Sequence, residues 1–300
     1  MSNETGLVGQ MGQVGERGNE RPRPRRAETS EGRGEASASV RAGGGAPALV
    51  LKVVTLLLML TAIPLRAADD PREIIGEAQR RTDAQSQRYE GLLQVFDAKG
   101  TVSDKRWRFE RLGSHGTSKA VLRFTAPAEV KGVALLVVNH PERASDQWMW
   151  TPAIERDRRI ALQDRSTRFF GTDFSFEDLE ERDVDQFNYR LLGDDTIDGA
   201  DCWKIESTPR ETKSSQYTRS IVWVRKDTYA FAQIESYIRA DAVRRLRYSN
   251  FANVQGIWTA RQLEMTDLRR DSRTRLTLDG LEYNVPMSEA DFTLQAIRRP

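Results

Sequence analysis

From Tyr89 onward, apolar and polar residues alternate with a period of two. Trp107 and Phe109 alternate with Arg106, Arg108 and Glu110; Leu246 and Tyr248 alternate with Arg245 and Arg247. Leu263 and Met265 alternate with Gln262, Glu264 and Thr266, and Leu276 and Leu278 with Arg275, Thr277 and Asp279. Each run predicts a half-buried antiparallel strand with one wet face. Turn signals at Asp97 to Gly100, Asp198-Gly199, Lys226-Asp227 and Asp279-Gly280 separate them, giving about ten strands in hairpin order. No strand–helix–strand alternation is present, which argues against a parallel sheet.

Two segments depart from simple alternation. Ile221-Val222-Trp223-Val224 is apolar on both faces. In the next segment Tyr229, Phe231 and Tyr237 are expected to face one way, and Ala230, Ala232, Ile234 and Ile238 the other. Strands apolar on both sides need cover on both sides, from helices across one face or from a sheet curled round an apolar cavity. One helix is predicted ahead of the strands. Asp70 caps it, Pro71 suits its first position, Glu73 follows three after the cap, and Ile74, Ile75 and Ala78 form its apolar stripe.

Composition divides the chain. Residues 1–67 hold 10 of the 21 glycines and no Phe, Trp or Tyr, so all 24 aromatics lie in 68–300. Residues 1–45, rich in Gly, Arg, Glu, Ser and Pro, predict a disordered leader. Residues 46–67 read as a signal peptide: Lys52, the apolar run Val53 to Ile63, then small residues near Ala67. That run is shorter than the roughly 20 residues a membrane span takes. No Cys follows it, so the protein is not expected to be a lipoprotein itself. Residues 68–300 form the folded domain, with 37 Lys+Arg against 38 Asp+Glu. A near-neutral domain argues against nucleic acid as a partner.

The chemistry-bearing residues are sparse. One Cys and two His exclude a disulfide framework, a Cys-based zinc cluster and a three-His site. Cys202 reads as a small buried hydrophobe, His115 as a solvated turn residue and His140 as a strand-end residue. No GxSxG, Gly-rich phosphate loop or HExxH occurs. In the dense segment from Arg158 to Asp185, Asp173, Glu177 and Asp178 have two readings. One gathers them for a metal or for acid–base work. The other, favoured here, makes Asp173 or Ser175 the cap of a short helix with Asp178 three after Ser175, anchored by Phe174 and Leu179. Trp148, Trp150, Phe169, Phe170, Phe174 and Phe176 form an aromatic cluster that reads as ordinary core or as the wall of an apolar pocket.

The segments LRFTAPAEVKGVALL (122–136), DQWMWTPAIERDRRIALQDRSTRFFGTDFSFEDL (146–179), GIWTARQLEM (256–265) and LEYNVPMSEADFTLQAIRR (281–299) resemble the LolA-like outer membrane lipoprotein-sorting protein family. Ala260 and Val133 depart from the pattern, where proline and threonine are expected. The resemblance implies a mainly β (α+β) fold: a strongly curved, incompletely closed antiparallel half-barrel with helices covering its concave face. It implies a periplasmic carrier holding lipoprotein or lipid acyl chains in an apolar cavity, without catalysis or cofactor, and a membrane exporter as partner. The six aromatics are the expected cavity or lid residues. In the alternative reading the domain is a docking module of an inner-membrane exporter without lipid cargo, with Arg158, Arg159, Arg165, Asp173, Glu177 and Asp178 as its contact surface. A hydrolase is disfavoured because no nucleophile–base pair is found.

Overall fold

The computed structural model describes residues 69–299. The expected leader (1–45) and signal peptide (46–67) lie outside the described residues.

Thirteen strands form one antiparallel sheet. They are β1 (Ser86–Phe96), β2 (Val102–Leu112), β3 (Lys119–Ala126), β4 (Ala134–Val138), β5 (Asp146–Thr151), β6 (Arg156–Arg159), β7 (Phe187–Ile197), β8 (Ala200–Pro209), β9 (Arg219–Arg225), β10 (Phe231–Ile238), β11 (Asp241–Val254), β12 (Ile257–Asp267) and β13 (Ser272–Tyr283). The order across the sheet is β6-β5-β4-β3-β2-β1-β13-β12-β11-β10-β9-β8-β7. Every strand pairs with its sequence neighbours except β6 and β7, and β1 against β13 is the one long-range seam. The sheet does not close: β6 and β7 are its two edges. The connection between them, residues 160–186, therefore has to travel from one edge of the sheet to the other.

Bulges set the curvature and the facing of side chains. Asp279-Gly280 is not a turn but lies inside β13. Arg88 pairs with Glu282 and Glu90 with Asp279, so two residues of β13 oppose one of β1, and Gly280 takes φ 58°. A glycine in the left-handed region is what such a bulge favours, because no Cβ meets the backbone. The extra residue lets Leu278 and Leu281, three apart, both enter the same core. A second bulge, between Phe231 and Gln233, overturns the simple alternation expected there: Phe231 packs with Tyr229 and Ile234 on one face, Ala232 with Tyr237 on the other. The strand count exceeds the expected ten because β4, β5 and β6 are only four to six residues long. β4 has no wet face to produce an alternating signal: Leu135 and Val137 face one core, Ala134 and Leu136 another.

The two faces are covered differently. Helix α1 (Pro71–Arg80) lies on the inner face, its Asp70 side chain accepting from Arg72 N at 2.9 Å. Ile74, Ile75 and Ala78 bury against Trp203, Ile205, Val222 and Val224. Each fully buried isoleucine stabilises this contact by about 1.5–3 kcal/mol. The connection 160–186 covers the same face, with Phe169 and Phe176 over Trp107, Leu122, Phe124 and Leu135. On the opposite face Phe292 and Ile297, flanking and ending the short helix α2 (Leu294–Ile297), cover Val121, Ala134 and Leu136. There, Trp223 of β9 is shielded not by a helix but by Lys204, whose Nζ sits 5.1 Å from the ring centroid.

Candidate ligand cavity

Between α1, the connection and the inner face of the sheet lies a cavity of about 470 Å³. It falls within the roughly 300–1,000 Å³ usual for small-molecule sites and is about three times an engineered core cavity that admits benzene. Its walls come from inward-facing positions of the strands: Tyr89 (β1), Phe109 (β2), Tyr189 (β7), Val222 (β9), Phe231 and Ile234 (β10), Tyr248 and Phe251 (β11), Leu263 (β12), Leu276 and Leu278 (β13). Ile75 of α1 closes one side. Trp258, also lining it, is 44% exposed and marks the rim.

One end of the cavity is polar, and its groups bind one another. Arg111, 4% exposed, pairs with Glu181. Glu181 Oε2 also accepts from Ser118 Oγ at 2.7 Å and from the His115 backbone N–H at 3.1 Å. His115 is not solvated: it is half-buried, lines the cavity and holds Gln79 O at 2.9 Å through Nε2. Gln79 ties α1 to the connection, donating to Arg182 O at 2.8 Å and accepting from Val184 N at 3.2 Å. Glu180 sits 2.8 Å from Arg165 and 3.3 Å from Arg182; burial pushes its carboxyl above the ordinary value, with both arginines opposing.

The connection is pinned across the sheet by ionic contacts. Asp173, fully buried, accepts from Arg168 at 2.7 Å, from Ser272 Oγ at 2.6 Å and from Thr274 Oγ1 at 2.8 Å. Asp178 pairs with Arg244 at 2.7 Å and accepts from Tyr217 Oη at 2.8 Å. Glu177 pairs with Arg182 at 3.0 Å and accepts from Gln216 N at 2.9 Å. The expected cap at Asp173 or Ser175 is not made: the single turn Glu177–Leu179 starts from Phe176 without a side-chain cap, and Asp178 Oδ2 instead reaches back to accept from Ser175 N at 2.7 Å. Phe170 and Gly171 take φ 47° and 77° in a tight turn closed by Thr172 N on Phe169 O at 3.0 Å, turning Phe169 into the core.

The residues singled out from the sequence distribute as follows. Trp148 and Trp150 pair with Leu136 and Ala134, so they share the opposite face of the sheet with Phe292 and do not reach the inner cavity. Phe169 and Phe176 are core residues and Phe170 packs beside them; Phe174 is also buried. None of the six lines the 470 Å³ cavity. The charged six do not make one surface either. Arg165, Asp173 and Glu177 are buried, and the Asp178 side chain is only 9% exposed, because each is consumed in pinning the connection. Arg158 and Arg159 alone are exposed, at 63% and 66% of their side chains. Among the described residues no group of three His, Cys, Asp or Glu is placed to hold a metal ion. Cys202 is buried and its thiol pKa is raised by desolvation. The lining tyrosines and leucines were visible in the alternating pattern only as generic inward positions; nothing in it separates a filled core from an open one.

A larger groove of about 1190 Å³ lies on the opposite face, lined by Arg88, Arg108, Arg123, Trp150, Asp157 and Arg298 among others. Its charged lining suits an apolar chain poorly.

A family model described as uncharacterized protein-like matches residues 116–299. No curated protein matches the sequence. Among solved structures, a DUF1329 family protein from Desulfovibrio piger is similar with TM-score 0.72 and 28% identity over 76% of this chain and 99% of that one. A putative outer membrane lipoprotein-sorting protein domain from Vibrio parahaemolyticus gives TM-score 0.73 and 26% identity over 76% and 98%. A LolA superfamily protein from Nitrosomonas europaea shares the fold, with TM-score 0.62 and 20% identity over 75% and 98%.

Proposed function

Because this chain belongs to the LolA-like outer membrane lipoprotein-sorting family, we propose that it is a non-enzymatic periplasmic carrier. It holds lipoprotein or lipid acyl chains in the cavity between α1, the connection and the sheet. The observation that carries this reading is the 470 Å³ cavity with aromatic and aliphatic walls. Each CH₂ buried there contributes about 0.8 kcal/mol. Ten methylenes correspond to roughly 8 kcal/mol, an affinity near micromolar. That is tight enough to shield a chain from water and weak enough to hand it on. The periplasmic assignment is supported by the sorting-protein relative and by the signal expected over residues 46–67.

Native mass spectrometry of the chain purified from the envelope fraction, followed by lipid extraction, tests the reading. A bound acyl species of defined mass supports it. A clean apo mass together with no binding of a fluorescent acyl probe overturns it. Transfer to or from a membrane exporter would use exposed surface, and the Arg158–Arg159 pair on edge strand β6 is the part of the expected contact surface still available. Combined Arg158→Glu and Arg159→Glu substitutions are expected to reduce co-purification with an inner-membrane partner and leave acyl binding intact. Unchanged co-purification would remove these residues from the contact.

A further inference from the structure

We propose that the groove on the opposite face of the sheet is a docking site for an acidic, partly apolar peptide segment of a partner protein, and that Arg123 receives a carboxylate of that segment. This goes beyond the carrier reading, since it uses the face turned away from the inner cavity. The register places Arg123 of β3 directly opposite Arg108 of β2, and both line the groove. Like charges opposed across neighbouring strands are destabilising unless something compensates them. Arg108 has its compensation in Glu90 of β1, at 3.0 Å. Arg88 has Glu282 at 2.6 Å, and Arg298 has Asp157 at 2.5 Å. Arg123 pairs with no carboxylate among the described residues. Its guanidinium reaches two backbone carbonyls, Gly132 O at 3.5 Å and Ala296 O at 3.3 Å. Both distances exceed the roughly 2.7–2.9 Å of a good charge-assisted bond. Arg123 is nonetheless half-buried. Burial, with Arg108 adding to it and Glu110 opposing, holds its pKa below the ordinary value. A partly desolvated cation with weak partners is completed by an anion from outside.

The groove also says what carries that anion. At about 1190 Å³ it exceeds the roughly 300–1,000 Å³ of small-molecule sites. Beside Arg123 its wall carries Trp150, Phe292 and Met287, which suits apolar side chains next to acidic ones. Asp157 of β6 lines it too, and β6 is an edge of the sheet. The backbone groups of an edge strand can pair with an extended chain. A lipid head group brings an anion but no backbone to pair there. Charge favours an acidic partner: six basic and four acidic side chains line the groove. Of the four acids, Asp157 is held by Arg298, and Asp291 accepts from Ser288 N at 3.1 Å. Lys131, exposed on the turn between β3 and β4, is a second cation without a carboxylate partner among the described residues.

The test selects random phage-displayed peptides on the full chain and measures the affinity of a selected peptide for variants. Selected sequences are expected to combine Asp or Glu with apolar residues. Arg123→Gln should weaken binding by about ten- to a hundredfold, the effect of one hydrogen bond to a charged group. Arg123→Lys, which keeps the charge, should recover part of that loss. Lys131→Gln should weaken binding less and make it less sensitive to salt. Acyl-probe binding is expected to stay unchanged in all three variants, so failure of the groove and failure of the carrier are read separately. Selected peptides without acidic enrichment, no selected peptide at all, or an affinity unmoved by Arg123→Gln overturn the proposal. If Arg123→Gln does not fold, Lys131→Gln decides, and an unmoved affinity there overturns it equally. Binding to phosphatidylglycerol vesicles that Arg123→Gln abolishes, with no peptide selected, replaces the peptide by a lipid head group.

Discussion

Replacing Asp173 with alanine should unpin the connection that crosses the inner face. Asp173 is fully buried and its carboxylate accepts three hydrogen bonds, from Arg168, Ser272 and Thr274, at 2.6–2.8 Å. Removing one partner of a buried ion pair costs about 3–5 kcal/mol. Arg168 is 23% exposed and keeps the carbonyls of Thr172 and Gly171 at 2.7 and 2.9 Å, which puts its share at the low end. The two hydroxyls each lose a bond of about 1 kcal/mol net, partly recovered by rotation. The expected loss is therefore about 3–5 kcal/mol. Against a typical total of about 5–15 kcal/mol, that is a third or more of the stability for most of the range. For a domain of this size the loss lowers Tm by about 6–20 °C. Urea unfolding at fixed pH measures it, with an unchanged slope confirming the same native state. Because residues Glu180 to Asp183 of the same connection wall the cavity, acyl-probe release should also accelerate. Asp173→Asn, which keeps the shape and one acceptor, should lose less. A loss below about 1 kcal/mol for Asp173→Ala would refute the pinning argument.

Leu263→Asp and Leu278→Asp place a charge in the cavity wall and are expected to abolish acyl-probe binding, whereas Trp150→Asp, on the other face, should leave it within about twofold; the reverse pattern in a probe titration would move the site. Phe169→Ala removes a fully buried ring from among Phe124, Phe170 and Phe176 and should cost about 3–5 kcal/mol in urea unfolding, less only if the connection collapses into the space. Asp146 is held below the ordinary carboxylate range first by Arg143 at 2.6 Å, then by Arg159 and His140. A lowered carboxyl stabilises the fold above its ordinary pKa and loses that contribution as pH falls through the lowered value. The Tm gap between the unaltered protein and Asp146→Asn should therefore be full near neutrality and shrink below about pH 4; a constant gap down to pH 2 would contradict it.

Much of this fold is legible because it depends on local rules. Asp70 and Pro71 start α1 where the capping pattern puts it, and alternation at Trp107, Leu263 and Leu276 yields real strands. The failures come from non-local geometry. Asp279-Gly280 carries a strong turn signal, yet its glycine serves a bulge, and only pairing with β1 decides between the two. Arg165, Asp173 and Asp178 look like surface charge, but partners far away in sequence, such as Arg244 and Thr274, draw the acidic residues inward. Trp148 and Trp150 are as aromatic as Phe169, and their side of the sheet is fixed by register against Leu136 and Ala134. The cavity is the least legible feature. Tyr248 and Leu263 alternate as core residues do, and the empty volume arises from where α1 and the connection stand off from them.

The open sheet and the long connection have one physical logic. A thirteen-stranded sheet that stops at β6 and β7 leaves two edges and an uncovered inner face, which together would invite aggregation. Chain connectivity offers a remedy, since the passage from β6 to β7 has to cross that face in any case. Up to Phe176 the passage is packed into the core, with Phe169 and Phe176 filling the space over Trp107 and Phe124. Its second half changes character: Glu180, Glu181, Arg182 and Asp183 reach the cavity as a hydrogen-bonded polar rim, touching α1 through Gln79. A fully apolar cover would seal the inner face into an ordinary core. A polar rim over an apolar wall instead leaves a compartment whose closure depends on a few ionic contacts, such as Arg111 with Glu181. Contacts of that kind are costly to leave unmade and quick to exchange for water, which suits a compartment that must open to load and release a chain.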